Sequence, residues 1–229
     1  MKLTWLGHSG FRMELGEQVL LIDPWLDGNP SFPEVSRETA ITGTTHILLT
    51  HGHFDHANSA VQIAQETGAP ILGMVELAGL LDKDGVETIG FNIGGTVMAG
   101  DVAVTMVPAR HSSSMMINEK LVYAGDPAGF MISYDGRVTY VSGDTGIMAD
   151  MEWMGDLFKP EIGILCAGGH FTMDMTGAAY AAKKYFDFKT VIPCHYKTFP
   201  LLEQNAEPLK AALPDVDVRE PVVLEPMEL

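Results

Sequence analysis

The segment His51-Gly52-His53-Phe54-Asp55-His56 constrains the fold of this chain more than any other. It places three imidazoles and one carboxylate within six positions, in a chain with 8 His among 229 residues. It directly follows Ile47-Leu48-Leu49-Thr50, an apolar run typical of a buried strand. The sequence therefore predicts a sheet in which a buried strand ends in a loop that carries ligand groups.

The residue types in this segment predict a metal site. Imidazole nitrogen and carboxylate oxygen are the usual protein ligands of zinc and of similar divalent ions. His51 and His53 can point the same way, whereas Asp55 and His56 lie one turn further on and can point toward a second ion. The motif thus indicates two metals rather than one. A histidine-rich surface loop is the alternative, but it leaves this concentration of His behind a buried strand unexplained.

The net charge of the chain argues against some classes of partner. Fourteen Lys and Arg residues against 30 Asp and Glu give a formal charge of −16. Proteins that bind phosphate backbones normally present a Lys/Arg surface. Nucleic acid and membrane surfaces are therefore not expected as partners, and a nuclease is a less favoured interpretation than a hydrolase of small molecules.

Targeting signals and cysteine content indicate where such a chain would work. No stretch reaches the roughly 20 apolar residues of a membrane span, and the N-terminus lacks a cleavage-site pattern. Two cysteines without a signal peptide suggest a reducing, cytoplasmic environment. Cys166 and Cys194 each end an apolar run and are expected to be small buried hydrophobic residues.

The pattern of strands and helices predicts one domain over residues 1–229, since no repeat, low-complexity segment or long linker appears. Strands are predicted at 2–6, 11–15, 18–22, 46–50, 70–73, 95–98, 102–107, 129–134, 138–141, 162–166 and 190–193. Helices are predicted at 57–68, 75–81, 150–158, 176–186 and 201–213, and a long loop at 23–44. Because the strands come in two batches, each interleaved with helices, an α/β sandwich of four αββα layers is favoured over a doubly wound sheet.

Three later strands also lead into polar residues that bind metals well. The runs at 104–108, 138–143 and 190–194 lead to His111, Asp144 and His195, respectively. Strand ends that open into loops commonly gather ligands and catalytic groups. The predicted ligand assignment is His51, His53 and His111 for the first ion, Asp55, His56 and His195 for the second, and Asp144 as the bridge. Glycines beside the ligands, Gly52 and Gly143, are expected to let the backbone approach the ions.

The signature at 50–56, followed in order by His111, Asp144 and His195, resembles the metallo-β-lactamase superfamily. Further segments are similar to its small metal-dependent hydrolases related to ascorbate-6-phosphate lactonase; they lie at 5–9, 21–25, 143–146, 169–173 and 193–196. The resemblance runs from residue 3 to about residue 200. It implies the αββα sandwich and a two-metal hydrolase centre, but it does not identify a substrate.

The resemblance and their positions implicate two further histidines. His8 follows the first strand and is expected at the edge that holds the metals, as a proton donor or a substrate contact. His170 follows a later strand through two glycines and is expected in the pocket. Asp23 ends a strand and is expected to orient a ligand histidine rather than to bind metal. His46, at the opposite end of its strand, is expected to be structural, and Asp126 to form a turn.

The predicted cofactors are two divalent ions. Five His and two carboxylates suit zinc, and manganese, nickel or iron would also fit. Such ions lower the pKa of a shared water to about 7, and the hydroxide would attack an ester, lactone, amide or phosphoester. Asp55 is expected to accept or orient the proton, and His8 or His170 to protonate the leaving oxygen.

The remaining expectations concern the pocket rim, the partner and the competing functions. The loop at 23–44 and the segment at 112–116 are expected at the rim, around a small-molecule substrate. The C-terminal residues 222–224 can dock on the domain or on a second copy in a homo-oligomer.

Three functions compete with hydrolysis of a small molecule: a metal-holding binding or sensing module without turnover, a nuclease, and a two-iron redox enzyme. The redox enzyme normally needs a partner flavin domain, which is not expected in these 229 residues.

Overall fold

Burial along the strands follows the sequence pattern. In β2 (Phe11–Leu15), alternate residues are buried, as in a strand with one face on a core. In β13 (Ile162–Cys166) and β14 (Thr190–Cys194), every residue is buried, as expected for parallel strands covered on both faces. These two strands therefore belong to the middle of a covered sheet.

The computed structural model describes residues 1–82 and 85–229. Its other strands are β1 (Lys2–Trp5), β3 (Gln18–Ile22), β4 (His46–Leu48), β5 (Ile71–Met74), β6 (Thr88–Phe91), β7 (Thr96–Ala99), β8 (Val102–Pro108), β9 (Ser114–Ile117), β10 (Lys120–Tyr123), β11 (Ala128–Tyr134), β12 (Arg137–Val141), β15 (Asp217–Val218) and β16 (Pro226–Glu228). The helices are α1 (Arg37–Ile41), α2 (Phe54–Ala57), α3 (Ala60–Thr67), α4 (Val75–Leu81), α5 (Met151–Phe158), α6 (Met175–Tyr185) and α7 (Glu207–Ala212).

The strands form two sheets of seven and one separate hairpin. The first sheet has the order β16-β1-β2-β3-β4-β5-β6, and the second has the order β15-β14-β13-β12-β11-β8-β7. In each sheet four neighbouring strands run parallel, from β3 to β6 and from β12 to β15. Strands β9 and β10 pair only with each other among the described strands.

The two sheets share one hydrophobic core. Phe91 on β6 lies 6.2 Å from Phe130 on β11, measured between ring centroids, so the sheets pack against each other. Helices α3 and α4 contact β5 and β6, whereas α5, α6 and α7 pack side by side on the second sheet. The predicted αββα sandwich is therefore confirmed.

The ends of the parallel strands meet along one edge, where two backbone hydrogen bonds join the sheets. The amide of Ala128 donates to the carbonyl of Thr50 at 3.0 Å, and the amide of His195 donates to the carbonyl of His8 at 2.9 Å. His8, Thr50 and His195 lie beyond the ends of β1, β4 and β14, and Ala128 is the first residue of β11. The predicted convergence of several strand ends is thus the feature that positions the site.

Several predicted boundaries are wrong, each for a local reason. The single helix predicted at 57–68 is two helices, α2 and α3. At the break the buried hydroxyl of Ser59 accepts hydrogen bonds from the amides of Leu26, at 2.9 Å, and Asp27, at 3.0 Å. The predicted loop at 23–44 contains a 3-10 turn, Glu34–Ser36, and α1. The predicted helix at 201–213 is formed only by α7.

The sequence patterns also gave no indication of five strands: β6, β9, β10, β15 and β16. The hairpin β9–β10 turns at Asn118 and Glu119, both with positive φ, 50° and 62°. Such a turn usually carries Gly at its second position, and Glu gives no such signal. Strand β16 pairs with β1 across almost the whole chain, with Leu3 opposite Met227.

The two glycines next to candidate ligands are closely packed against neighbouring chain segments. A Cβ on Gly52 would lie 2.7 Å from the Cβ of Ala124. Gly143 has φ +58°, and a Cβ there would overlap the carbonyl oxygen of Ala128. Close packing against neighbouring segments therefore requires glycine at both positions, and the approach of the backbone to the ions stays a prediction.

Both cysteines lie in the hydrophobic core. Cys166 and Cys194 are buried and free, and burial raises the pKa of the Cys166 thiol to about 11. They are thus neutral and apolar in character, as expected.

None of the helices in the described chain combines the length and apolar character that crossing a membrane requires.

We predict opposite effects on stability for two helical glycines. A Cβ on Gly155 in α5 would overlap the carbonyl oxygen of Tyr185, so Gly155→Ala should lower the free energy of unfolding by about 2 kcal/mol. A Cβ on Gly79 in α4 meets nothing within 4 Å, so Gly79→Ala should raise it by about 0.5–1 kcal/mol. Urea unfolding of both variants measures this, and equal shifts would contradict the packing of α5 against α6.

Candidate metal centre

The first predicted ligand set is assembled by two strand ends. His51 Nε2 lies 3.0 Å from His53 Nδ1, and the rings of both lie 5.2 Å from the ring of His111. One nitrogen from each of the three rings lies within 4.8 Å of the others. His51 is fully buried, whereas His53 and His111 are partly open to a cavity.

The second set lies beside the first. Asp55 Oδ2 is 3.7 Å from His195 Nε2 and 4.0 Å from His56 Nε2. Asp55 and His56 lie on the short helix α2, and the φ of its preceding residue, His53, is −66°. His195 follows β14 directly. The backbone therefore changes from extended at His53, where ψ is 150°, to helical at Asp55 and His56, which lets the two pairs point differently.

Asp144 lies between the two sets. Its Oδ2 is 3.1 Å from His195 Nε2, 3.4 Å from His56 Nε2 and 3.6 Å from His111 Nε2. The carboxylate is buried, and its Oδ1 has no hydrogen-bond partner. The buried His56 Nε2 also has none. Buried polar atoms without partners are costly, so these atoms fit the ligand shell of a cation.

The charges of the site point to the same requirement. Burial lowers the pKa of His56, but Asp144 and Asp23 outweigh it and hold that pKa well above the usual value. Burial also lowers the pKa of His195, but Asp144 and Asp55 raise it to about 9. The buried carboxylates thus need positive charge nearby. Protons supply it in the metal-free protein, and a divalent cation can replace them.

His51 differs from these two rings. Burial, and then the neighbouring His56, hold the pKa of His51 well below its usual value. Its ring is therefore neutral, which leaves a nitrogen lone pair free for a metal. The donor set of five imidazoles and two carboxylates fits divalent zinc and similar ions.

Asp23 holds a candidate ligand in place. Its Oδ2 accepts from His56 Nδ1 at 2.8 Å and from the Thr50 hydroxyl at 2.7 Å, and its Oδ1 accepts from the Thr50 amide at 2.8 Å. It is the carboxylate expected from the sequence to orient a histidine. Thr50 links Asp23 to the start of the motif through these two hydrogen bonds. The sequence gives no signal for this role, because Thr50 stands at the end of an apolar run.

His8 does not occupy the position expected of a proton donor to substrate. Its ring is fully buried, with Nε2 3.0 Å from Asp55 Oδ2 and Nδ1 2.9 Å from Thr198 Oγ1. Burial lowers the pKa of His8 to about 4, so its ring is neutral and Nε2 donates to the Asp55 carboxylate. Both nitrogens are engaged. His8 is therefore placed to position Asp55, and its Nε2 lies near the second ligand set but, carrying the proton, offers it no lone pair.

His170 lies outside the metal cavity. It is exposed and lines a separate depression with Gly169 and Leu202. The following residue, Phe171, lines the metal cavity instead. The expectation that His170 is a pocket residue is therefore corrected, because the turn at 169–172 directs the neighbouring ring inward.

The two residues expected to lack a role in the site lie away from it. His46 begins β4, at the end opposite the motif, and its Nδ1 lies 3.1 Å from the Thr45 hydroxyl. Asp126 is exposed and accepts from the Tyr123 hydroxyl at 2.7 Å.

Three residues of the site have left-handed backbone. The φ angles are 54° at His8, 45° at Asp23 and 58° at His195. Such conformations are unfavourable for residues with a Cβ and tend to cluster at functional sites. They turn the chain sharply at the ends of β1, β3 and β14, so that the side chains converge.

A cavity of about 570 Å³ opens above the candidate ligands. Its polar lining includes His53, Asp55, His111, Asp144 and His195. A volume of this size suits a small molecule. The cavity therefore gives a substrate direct access to both predicted ligand sets.

The chain matches a family model described as the beta-lactamase superfamily domain, over residues 18–196. A UPF0173 metal-dependent hydrolase of Paracoccus denitrificans (strain Pd 1222) is 63% identical over 230 residues, and the match covers 100% of each chain. A protein of the same description from Ruegeria pomeroyi is 56% identical, again over 100% of each chain.

Solved structures agree with these matches. Igni18, a metallo hydrolase from the hyperthermophilic archaeon Ignicoccus hospitalis KIN4/I, has a TM-score of 0.86 and 33% identity, covering 100% of this chain and 98% of that one. An isothiocyanate hydrolase from Delia radicum gut bacteria has a TM-score of 0.77 at 19% identity, covering 100% and 99%, and it shares the fold. The closer relation to ascorbate-6-phosphate lactonase stays a prediction.

We predict that Asp23→Asn weakens metal binding about 10- to 100-fold, because the amide no longer offers a charged acceptor to His56. Competition with a chromophoric chelator measures the affinity. Asp135→Asn is the matched control, since Asp135 is exposed and has a similar φ, 48° against 45°. Equal affinity in both variants would show that Asp23 does not support a ligand.

Proposed function

Because the chain belongs to the metallo-β-lactamase superfamily and is one of its metal-dependent hydrolases, we propose that it uses two divalent ions, zinc foremost, to hydrolyse a small ester, lactone or phosphoester. Lactone and phosphoester chemistry are slightly favoured. The observation that carries the proposal is the position of Asp144 Oδ2, within 3.1–3.6 Å of nitrogens from both ligand sets.

The proposed holders of the ions are the two sets described above. His51, His53 and His111 would hold the first ion, Asp55, His56 and His195 would hold the second, and Asp144 would serve both. Bound ions of this kind supply a hydroxide nucleophile near neutral pH and stabilise developing negative charge. Asp23 fixes the ring of His56 through Nδ1, which leaves the unpartnered Nε2 directed at the centre.

Asp55 is the proposed proton carrier. Its side chain is 14% exposed and lines the cavity, so it can contact both a water and a substrate. Burial raises its pKa, but contacts with His195, His56 and His8 outweigh burial and hold the pKa well below its usual value. The carboxylate is therefore ionised, which a proton acceptor requires. His8 fixes its orientation through the 3.0 Å hydrogen bond to Oδ2.

The leaving oxygen must receive a proton from Asp55 or from solvent. His8 is buried with both ring nitrogens engaged, and His170 lies outside the cavity. Neither histidine can therefore take the role expected for it from the sequence. Asp55 would accept the proton from the attacking water and return it to the leaving group.

We predict that Asp55→Asn lowers kcat/KM at least about 100-fold, because the amide cannot accept a proton. The substrates are p-nitrophenyl acetate, a δ-lactone and bis-p-nitrophenyl phosphate, assayed with metal fully loaded. Asp156→Asn, at an exposed position on α5, is the control. If no substrate is turned over by the wild-type protein, or if the Asp55 variant keeps its rate, the proposal is wrong.

A second prediction concerns metal content. Protein purified without nickel resin should carry about two ions per chain by elemental analysis, with zinc the main metal. His111→Ala and His195→Ala should each reduce this to about one, because each removes a ligand from a different set. A wild-type protein that saturates at one ion would contradict the shared role of Asp144.

A further inference from the structure

The cavity above the candidate ligands has an apolar wall. Five large apolar side chains line it beside the polar floor: Phe54, Leu121, Phe171, Phe199 and Leu201. They come from four separate segments, namely α2, β10, the turn after β13 and the turn after β14. Local sequence therefore does not explain their meeting, and the fold brings them together only at this cavity.

Four of these side chains are exposed to water. The exposed fractions are 64% for Phe54, 72% for Leu121, 51% for Phe171 and 54% for Leu201. Isolated exposed apolar residues are common, but a cluster around one concave site marks a binding surface. The core does not use these groups, so their exposed area is available to a ligand.

A further aromatic side chain, Trp25, supports two residues of the wall, Phe54 and Phe199. Trp25 is buried, and its ring lies 5.6 Å from Phe54 and 6.0 Å from Phe199, measured between centroids. Trp25 Nε1 donates to the carbonyl of Asp27 at 3.0 Å, which holds the indole in place. The two phenyl rings therefore rest on an ordered support, and the wall needs little rearrangement to bind an apolar group.

The hairpin β9–β10 contributes one apolar side chain, Leu121, to the wall. Ser113 ties the base of this hairpin to the metal motif, because its Oγ accepts from the Gly52 amide at 3.1 Å. Leu121 projects from β10 into the lining of the cavity. The hairpin thus adds an aliphatic side chain to the aromatic lining of the cavity.

The lining contains no Lys or Arg in the part of the chain that the structure describes. Its uncharged polar groups besides the candidate ligands are Ser112 and Ser114. Sites that select phosphorylated or carboxylated molecules normally hold the anion with Arg or Lys. The chain carries a formal charge of −16, and the wall offers an anionic substituent no cationic side chain.

We infer that the cavity selects uncharged acyl substrates, in which an apolar acyl chain lies on the Phe54–Leu121–Phe171–Phe199–Leu201 wall and the carbonyl lies over the candidate ligands. This inference rests on the proposed function, which it narrows from esters, lactones and phosphoesters to carboxylic esters and lactones. Water adds to the carbonyl carbon, the bond to the leaving oxygen breaks, and that oxygen takes a proton, which yields a carboxylic acid and an alcohol.

The test compares p-nitrophenyl acetate, butyrate and hexanoate with metal-loaded protein. Burial of each added methylene should raise kcat/KM about two- to fourfold. Mono-p-nitrophenyl adipate has the hexanoyl chain length but ends in a carboxylate, and its kcat/KM should fall at least about tenfold below that of the hexanoate. Bis-p-nitrophenyl phosphate should be a poorer substrate than the hexanoate.

Leu121→Asn tests the wall itself with little change in side-chain size. It should flatten the dependence of kcat/KM on acyl chain length, because the longer acyl chains lose an apolar contact at the wall. Leu157→Asn makes the same change on α5, at a side chain 67% exposed and outside the cavity lining, and should leave the dependence intact. Thermal midpoints of both variants report that the fold is unchanged.

A binding measurement separates the cavity from the chemistry. Saturation-transfer NMR with octan-2-one, which is uncharged and cannot be hydrolysed, should detect binding to the wild-type and Leu157→Asn proteins and a clear loss in Leu121→Asn. Turnover of acetate without a chain-length effect overturns the inference and leaves the proposed function standing. Preference for the phosphodiester or for the adipate also overturns it. Absence of both turnover and ketone binding refutes the inference and the proposed function together.

Discussion

A carboxylate cannot remain charged inside a protein without positive charge beside it, and the site depends on this constraint at Asp144. Its Oδ2 lies within 3.6 Å of three imidazoles that arrive from three different strand ends. The side chain is almost completely buried, so water cannot supply the missing charge. A buried anion that attracts His56, His111 and His195 at once requires the two sheets to meet at one edge. The shared hydrophobic core brings the sheets together, and their meeting at this edge gives the buried carboxylate its positive partners.

The backbone satisfies that need at a local cost. Left-handed conformations at His8, Asp23 and His195 are tolerated because each residue is fixed by further contacts. His195 donates its amide to the carbonyl of His8, and that carbonyl also accepts from the indole of Trp5 at 2.9 Å. Asp23 accepts three hydrogen bonds. Tertiary contacts, rather than local preference, therefore determine the conformation of these turns.

The parts of the site that repeat a local rule could be predicted from the sequence. An apolar run followed by a polar residue marks a strand end, and this rule, together with the dense motif at 51–56, predicted that His51, His111, Asp144 and His195 meet. The layer order follows from the same runs. Predictions based on position alone did less well. His8 and His170 both follow strands, yet one is buried behind Asp55 and the other is turned outward. Side-chain direction at a strand end depends on one or two backbone angles, which the sequence does not reveal.

The C-terminal strand β16 supports the candidate metal centre indirectly, although it is far from the ligands in the sequence. It pairs with β1, which would otherwise be an exposed edge strand with unsatisfied backbone groups. Strand β1 leads into His8, and His8 holds Asp55. Residues 226–228 thus pair with the strand whose following loop holds His8, the residue that positions the proposed catalytic carboxylate of Asp55. Fraying at that edge would loosen the orientation of Asp55 without disturbing any candidate ligand directly, so the tail of the chain belongs to the supporting frame of the active site.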